Sequence, residues 1–273
     1  MKVLAIFTCF NRKEKTKQCI ETITTGNPEC DFTFVVADDG STDGTYELLQ
    51  DMKLAYSIHV LRGKGDWFYS GGMHVGMKYA LQNLPHDFDY MLMMNDDVEF
   101  REDSIQNVIE QSRGQKNAVI VGTMCNDCDE LSYGAVKYIA GYRYRKLELS
   151  EWEAPADTFN ANCVLIPYKA FEQIGAMDPY YRHSLGDFDY GLSLKRAGYL
   201  IYQSKEYVGK CNNNCNKGTW TDTSLSRIER IRKKENMKGA PTKQWFYFLK
   251  KNFGFLQAIK GVISPYIRII ISR

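Results

Sequence analysis

The stretch FTFVVADDGSTDGT, spanning Phe32–Thr45, indicates the fold of this 273-residue chain more directly than any other. Residues 32–37 form an apolar run with the length of a buried strand, and the run ends in the acidic pair Asp38 and Asp39. Residues 41–43 then offer N-caps for a helix. Acids that follow a strand in this way are typical of open α/β sheets, which bind ligands beyond the carboxyl ends of their strands.

The same alternation of strands and helices continues on both sides of this stretch. Further strands are predicted at Val3–Thr8, Tyr56–Leu61, Tyr90–Met94 and Tyr199–Tyr202, and helices are predicted to begin near Asn11, Ser41, Met73 and residue 187. Strands that alternate with helices favour a mainly parallel sheet with right-handed crossovers. We therefore expect an α/β fold, with a less regular and strand-rich region from about 118 to 170.

Composition is that of a globular protein with reduced cysteines. With 44% hydrophobic residues the chain can bury a full core. Its eight cysteines are spread along the sequence without a secretory signal before them, which predicts free thiols and a cytoplasmic location. Residues 1–7 are too short to span a bilayer and predict a first strand. A zinc site formed by Cys125, Cys128, Cys211 and Cys215 remains an alternative use of four thiols.

Charge is distributed unevenly although the net charge is only +2. Residues 227–273 contain twelve Lys or Arg against two Glu, so residues 1–226 carry about −8. Aromatic and aliphatic residues recur at helical spacing among the lysines of residues 243–273, which predicts a helix at an anionic membrane surface. A C-terminal helix packed on the main domain is the alternative. No nucleic-acid motif accompanies this charge, so we expect no nucleic-acid partner.

Two of three acidic clusters directly follow predicted strands. Asp38 and Asp39 suit hydrogen bonds to a nucleobase or to ribose hydroxyls, with turn formation and helix capping as the alternative. Asn95, Asp96 and Asp97 follow the next strand but one, and a carboxylate there suits Mg²⁺ or Mn²⁺ beside a diphosphate. The alternative for this second cluster is a helix N-cap.

A glycine-rich loop lies between these clusters. Gly71 and Gly72 permit close backbone approach to a phosphate, and a helix that begins near Met73 would direct free N–H groups at it. Trp67 and Tyr69 suit a wall for a sugar or base, with core packing as the alternative. The pattern is neither a P-loop nor a dinucleotide fingerprint.

The third acidic cluster contains Asp187 and Asp189, two residues apart ahead of a predicted helix. One of them would serve as a general base on an acceptor hydroxyl if a low-dielectric pocket raised its pKa. Ordinary helix capping explains the same pattern. His74 and His183 are single histidines, which are more often packed or surface residues than metal ligands.

Taken in order, the motifs resemble a family 2 glycosyltransferase with the GT-A fold. The segments that carry the resemblance are Phe7–Arg12, Ala37–Thr45, Ser70–Gly76, Met94–Val98, Gly175–Asp178 and Gly186–Asp189 with Lys195–Tyr199. It covers about residues 1 to 240. The resemblance implies a single GT-A-like domain at 1–225, divided into a nucleotide-binding part (1–100) and an acceptor-binding part (101–225). Residues 226–273 then form a C-terminal helical appendage.

The resemblance also implies a reaction and residue roles. The reaction is an inverting, metal-dependent transfer of a hexosyl or deoxyhexosyl group from a nucleotide-diphosphate sugar to a glycan or lipid-linked acceptor. Asp97 would bind Mg²⁺ or Mn²⁺, and Asp187 would be the catalytic base. The residues implied to bind the donor nucleotide are Thr8, Asn11, Arg12, Asp38, Asp39, Gly71, Gly72, Asn95 and Asp96, and those assigned to the sugar or acceptor pocket are Trp67, Tyr69, Asn162 and Asp189.

Two departures from the family pattern bear on these roles. Gly186 replaces the usual Glu before the catalytic Asp, and Asn95 replaces the first acid of the metal motif. A sugar-1-phosphate nucleotidyltransferase and a non-catalytic nucleotide-binding module recruited to membranes are the rival functions. The first favours basic residues in a glycine-rich loop after strand one, where this chain has Thr8-Cys9-Phe10-Asn11. We expect a cytoplasmic protein, peripheral at the inner face of the membrane.

Overall fold

The computed structural model describes residues 1–213 and 216–272. Its N-terminal part alternates strands and helices as the sequence predicts. The elements are β1 (Lys2–Cys9), α1 (Lys13–Thr25), β2 (Asp31–Asp38), α2 (Thr45–Met52), β3 (Ser57–Arg62), α3 (Phe68–Asn83) and β4 (Tyr90–Met94). All strand pairs among β1 to β4 are parallel, in the order β3-β2-β1-β4.

The second part contains shorter strands and completes a mixed sheet. Its elements are β5 (Glu99–Phe100), α4 (Ser104–Gly114), β6 (Val119–Cys125), β7 (Leu131–Tyr133), β8 (Ala135–Ala140), β9 (Arg143–Lys146), β10 (Thr158–Phe159), β11 (Cys163–Pro167), α5 (Tyr168–Ile174), α6 (Gly186–Arg196) and β12 (Ile201–Lys210). The main sheet has the order β3-β2-β1-β4-β11-β6-β12-β5, with β7 beside β6. Strand β11 runs antiparallel to both of its neighbours, and β10, β8 and β9 form a separate antiparallel sheet.

The core lies on both faces of the main sheet because successive residues of β1 point to opposite sides. Val3, Ala5 and Phe7 pack with α1 on one face, whereas Leu4 and Ile6 pack with α3 on the other. A strand buried on both faces is expected where helices cover a parallel sheet. This packing fixes the carboxyl ends of β1, β2 and β4 along one edge.

A helical C-terminal segment follows the sheet domain, as predicted. Helix α7 (Arg227–Glu235) leads through a 3₁₀ turn (Met237–Gly239) to α8 (Thr242–Phe253) and α9 (Phe255–Ile271). Phe248, Leu249 and Ala258 are buried in one cluster with Val136 and Tyr181 of the sheet domain. Within residues 1–213 and 216–272, no helix is long and apolar enough to cross a bilayer.

Candidate functional site

A cavity of about 650 Å³ opens where β1 and β4 end, between the sheet domain and α8. It brings together nine of the fifteen predicted site residues, which are Thr8, Arg12, Asp39, Tyr69, Asn95, Asp96, Asp97, Asn162 and Asp187. The remaining six do not line it: Asn11, Asp38, Trp67, Gly71, Gly72 and Asp189. All three acidic clusters therefore contribute to one cavity.

The floor of the cavity carries an arginine between two carboxylates. Nη1 of Arg12 donates to Oδ1 of Asp96 at 2.9 Å and to Oδ2 of Asp97 at 2.8 Å. Burial raises the pKa of Asp96 to about 6, although Arg12 opposes the rise. The side chain of Asp97 is 22% exposed and turns toward the cavity, where Sγ of Cys211 lies 3.7 Å from its Oδ1.

The oxygen-bearing side chains on this floor fit a hard divalent cation that takes most of its ligands from substrate and water. Asp97 presents carboxylate oxygens, and Asn95 and Asn162, joined by a 3.1 Å backbone hydrogen bond, add amide groups to the same cavity. In the part of the chain that the structure describes, no group of three or more acids, histidines or cysteines is placed so that its side chains alone could hold a metal ion. Mg²⁺ typically uses one or two protein carboxylates and takes its other ligands from phosphates and water. Cys215, part of the alternative zinc site, lies outside the described residues.

Asp39 lines the cavity and also holds a neighbouring loop. Its Oδ1 accepts the backbone N–H groups of Gly65 at 3.0 Å and Trp67 at 3.1 Å, and its Oδ2 accepts that of Phe68 at 2.8 Å. Gly65 precedes α3, and Trp67 and Phe68 lie at its start, where N–H groups lack partners within the helix. Asp38 lies behind it, with Oδ1 bound to the N–H of Ser41 and a buried Oδ2 that has no hydrogen-bond partner among residues 1–213 and 216–272.

The glycine-rich segment differs from the sequence prediction. Helix α3 begins at Phe68 and not near Met73, so Gly71 and Gly72 lie within its first turns. The N–H of Gly71 donates to the carbonyl of Arg182 at 3.1 Å. A Cβ on Gly72 would lie 2.8 Å from Oγ1 of Thr8, so this glycine allows α3 to pack closely on β1.

Two other predicted residues shape the loops around the cavity. Asn11 has a φ of 52°, and its side-chain oxygen accepts the N–H of Thr42 at 2.8 Å. This bond ties the turn after β1 to the turn after β2. Trp67 is half-buried, and a Cβ on Gly63 would lie 2.8 Å from its ring. Both residues support the cavity from behind.

Asp187 lies at the opposite side of the cavity, in the first turn of α6. Its Oδ1 accepts the N–H of Phe188 at 2.9 Å, and Oδ2 lies 3.4 Å from the N–H of Ala161. Burial raises the pKa of Asp187 to about 6, and the backbone hydrogen bonds oppose the rise only in part. A carboxylate that titrates near neutrality can accept a proton from a bound hydroxyl. The nearby Tyr69 hydroxyl is buried without a hydrogen-bond partner among the described residues.

Asp189 lies outside the cavity and anchors α8. Residues two apart on a helix point in different directions, so Asp189 faces the core while Asp187 faces the cavity. Its carboxylate is 2.7 Å from Nζ of Lys251 and accepts from Nδ2 of Asn252 at 2.9 Å. Lys251 also pairs with Asp178 at 2.8 Å.

Several cavity residues were not identified from the sequence. Lys238, His183 and Asn212 come from connections without regular periodicity. Burial, aided by the charge of Lys238, lowers the pKa of His183 to about 4, so this imidazole is neutral at physiological pH. An aromatic side of the cavity comprises Tyr138, Tyr142, Tyr144, Trp245 and Phe248. Two sequence signals indicate parts of it: the alternation Tyr142-Arg143-Tyr144-Arg145 and the aromatic residues at helical spacing after residue 243.

Comparison with curated proteins finds distant relatives. An N-acetylglucosaminyl-diphospho-decaprenol L-rhamnosyltransferase of Mycobacterium tuberculosis is 23% identical over 193 residues, which cover 61% of this chain and 62% of that protein. An uncharacterized glycosyltransferase, YfnE, of Bacillus subtilis is 27% identical over 124 residues, 45% of this chain and 30% of that protein. The matched regions thus span less than two thirds of each relative's length.

Solved structures and a family profile complete the comparison. TarS 1-349 of S. aureus in complex with UDP-GlcNAc has a TM-score of 0.60 at 13% identity, covering 99% of this chain and 82% of that one. The mannosyltransferase PcManGT of Pyrobaculum calidifontis, in complex with GDP-Man and Mn²⁺, has a TM-score of 0.58 at 12% identity, covering 99% and 76%. These likenesses confirm the predicted GT-A fold. The profile of Glycosyl transferase family 2 matches residues 5–175, more than half of the chain, and the protein therefore belongs to that family.

Proposed function

We propose that this protein transfers a hexosyl or deoxyhexosyl group from a nucleotide-diphosphate sugar to an acceptor hydroxyl, with inversion at the anomeric carbon. The observation that carries the proposal is that Asp97 and Asp187 line the same cavity although 90 residues separate them in the sequence. One carboxylate suits the cation of a diphosphate, and the other suits proton removal from an incoming alcohol. A single displacement between them inverts configuration.

The donor would occupy the half of the cavity formed by β1 and β4. Thr8, Arg12 and Asn95, which line this half, would face the nucleoside and its ribose, and Asp39 holds the loop at residues 65–68 through its hydrogen bonds. Asp97 would hold Mg²⁺ or Mn²⁺, which neutralises charge on a diphosphate leaving group. The complexes of TarS with UDP-GlcNAc and of PcManGT with GDP-Man and Mn²⁺ support a nucleotide-sugar donor and a divalent cation.

Asp187 would act on the acceptor. It receives the proton of the acceptor hydroxyl while the oxygen attacks the anomeric carbon from the face opposite the diphosphate. Its raised pKa suits this step, because a carboxylate with a pKa of about 6 is a stronger base than an ordinary one and is still ionised at neutral pH. The name of the mycobacterial relative specifies a lipid diphosphate acceptor, which supports a glycan or lipid-linked acceptor here.

The C-terminal segment would hold the enzyme at the inner, cytoplasmic face of a membrane. Residues 236–273 contain seven Lys or Arg and no acidic residue. Such a segment is attracted to anionic headgroups by roughly 1 kcal/mol for each basic residue near the surface. Its attachment would be peripheral, since α9 lies along the protein surface.

The proposal is tested by transfer assays with a panel of nucleotide sugars, with and without Mn²⁺. Asp187→Asn and Asp97→Ala should each lower transfer by at least about 100-fold, whereas Asp51→Asn, an exposed acid on α2, should leave it unchanged. Product configuration is read from the one-bond coupling between C1 and H1 in NMR spectra. Wild-type rates in both site variants, retention of configuration, or pyrophosphate release from a nucleoside triphosphate would contradict the proposal.

A further inference from the structure

The outer face of α9 is an exposed apolar stripe. Its members recur every three or four residues, and their exposed fractions are 74% for Leu256, 39% for Ile259, 49% for Ile263, 51% for Ile267 and 58% for Ile270. The opposite face, with Ala258, Gly261 and Ile269, is buried. A helix that is apolar on both its buried and its exposed face requires a second apolar environment.

Charge around the stripe favours an anionic bilayer as that environment. Lys243, Lys250, Lys260 and Arg268 are exposed, and no acid occurs after Glu235. An apolar helical face flanked by lysine and arginine is typical of helices that lie in the headgroup layer of anionic membranes.

The buried face of α9 supports the aromatic side of the cavity. Nε1 of Trp245 donates to the carbonyl of Gly261 at 2.9 Å. The rings of Trp245 and Phe248 stack at 5.6 Å, and Tyr142 meets Trp245 edge-on at 5.9 Å. A Cβ on Gly261 would lie 3.3 Å from Tyr142, so α9 contacts this ring directly. The aromatic side and the apolar stripe are therefore separated by the thickness of one helix.

The same aromatic side reaches the proposed base. Tyr144 and Phe188 pack edge-to-face at 5.2 Å, and Phe188 is the neighbour of Asp187. Burial raises the pKa of the Tyr144 hydroxyl, and the charge of Asp187 adds to the rise. Lys251 of α8 fixes this arrangement through its ion pair with Asp189. A molecule lying on these rings would present its hydroxyl to Asp187.

We propose that Tyr138, Tyr142, Tyr144 and Trp245 form the acceptor subsite and stack on the apolar face of a sugar ring, with the buried Phe248 packed behind Trp245, and that α9 docks on an anionic bilayer and holds this subsite at the membrane surface. The inference rests on the proposed transferase function and adds the acceptor-binding residues and their membrane orientation. The acceptor is accordingly a saccharide anchored to the bilayer, and the donor enters from the aqueous side along β1 and β4.

Vesicle cosedimentation tests the membrane part. The wild type should bind phosphatidylcholine vesicles that contain phosphatidylglycerol, and it should not bind vesicles of pure phosphatidylcholine. The double substitution Ile263→Asp with Ile267→Asp should weaken binding at least about tenfold because it removes two apolar anchors and adds two negative charges. Leu54→Asp is the matched control, since Leu54 is 94% exposed far from the stripe and should change nothing. Equal binding by the double variant, or no binding by the wild type, overturns this part. It is also overturned if the double substitution abolishes self-association of the protein and leaves vesicle binding unchanged.

Kinetics with water-soluble para-nitrophenyl glycosides test the acceptor subsite. Tyr144→Ala should raise the acceptor KM about tenfold or more because stacking on the acceptor ring is lost. Trp245→Phe should retain more acceptor binding than Trp245→Ala. An unchanged acceptor KM in both alanine variants overturns the subsite. Nucleoside-diphosphate binding, followed by thermal shift, separates the two proposals: its absence in the wild type contradicts the transferase function itself.

Discussion

Nζ of Lys251 on α8 lies 2.7 Å from Oδ2 of Asp189 on α6, and the Asp189 side chain is only 3% exposed. This ion pair joins the C-terminal helices to the helix that carries Asp187. It is supported by Asn252 and by Asp178, so both charges have several partners. Removal of Asp189 deprives Lys251 of one of its two carboxylate partners and Asn252 of a hydrogen-bond acceptor in a packed region.

We predict that Asp189→Ala lowers the free energy of unfolding by about 2–4 kcal/mol. Urea unfolding followed by circular dichroism measures this change. Asp51→Ala, on the exposed face of α2, serves as the control and should have little effect. A loss below about 1 kcal/mol for Asp189→Ala would mean that the pair contributes no more than a surface salt bridge.

The pH dependence of catalysis should follow Asp187. Its pKa is raised by burial to about 6, so the rate should increase with pH through that value as the carboxyl loses its proton. Steady-state rates at saturating donor over a pH series provide the measurement. A profile without an inflection near pH 6 would argue against Asp187 as the base.

Asp187 should also reduce stability above its pKa. Because the pKa is higher in the folded than in the unfolded protein, the folded state binds the proton more tightly, and stability falls as pH rises between about 4 and 6. Asp187→Asn should therefore stabilise the protein by about 1–3 kcal/mol at pH 8 and by nothing below pH 4. Melting temperatures at the two pH values test this, and equal shifts at both would contradict it.

Substitution by alanine should have opposite effects on stability at two glycines that lie in helices. Gly72→Ala places a methyl group 2.8 Å from Oγ1 of Thr8 and should cost about 1–3 kcal/mol while weakening nucleotide binding. Gly114→Ala, at the end of α4, meets nothing within 4 Å and should be neutral or stabilising by up to about 1 kcal/mol. Chemical unfolding and thermal shift with a nucleoside diphosphate distinguish the two effects. Destabilisation by Gly114→Ala would show that the space around each glycine does not determine the effect of an added methyl group.

Asp39→Asn should loosen the loop before α3. An asparagine keeps one acceptor oxygen, so the N–H groups now bound by either Oδ1 or Oδ2 lose their acceptor. This loss should lower the free energy of unfolding by about 1–3 kcal/mol. Hydrogen exchange of the amides at residues 65–68 should become faster, and nucleotide affinity should fall. Unchanged exchange would indicate that the loop is held by other contacts.

The sequence predicts several residues of the cavity near β1 and β4 because they directly follow regular strands. Asp39 and Asn95 to Asp97 can be placed beside one another once β2, β1 and β4 are recognised as parallel neighbours. Helix-capping rules do not distinguish Asp187 from Asp189. In the sequence, only the resemblance to a family motif favours Asp187 as the catalytic base. The distinction comes from packing, because α8 supplies the partners of Asp189.

The aromatic side of the cavity could not be predicted from local patterns. Tyr142 and Trp245 are about 100 residues apart in the sequence and meet only because α8 and α9 fold back on the sheet domain. The periodicity of residues 243–271 predicts helices and an apolar surface, but it does not show which face contacts the domain. The two interpretations of this segment concern opposite faces of α9: packing describes its buried face, and the proposed membrane contact concerns its exposed face.

Strand β11 runs antiparallel between β4 and β6, and this has a consequence for how such enzymes diversify. The chain leaves the sheet after Tyr133, which pairs with Met124 of β6, and returns at Cys163, next to the pairing of Val164 with Val121, so the two points lie at the same border of the sheet. An excursion whose ends are neighbours can be exchanged for another of different length without disturbing the framework. Residues 134–160, which carry Tyr138, Tyr142 and Tyr144 of the aromatic side, are therefore an insertion that can be exchanged, whereas Asn162 stays in place beside Asn95.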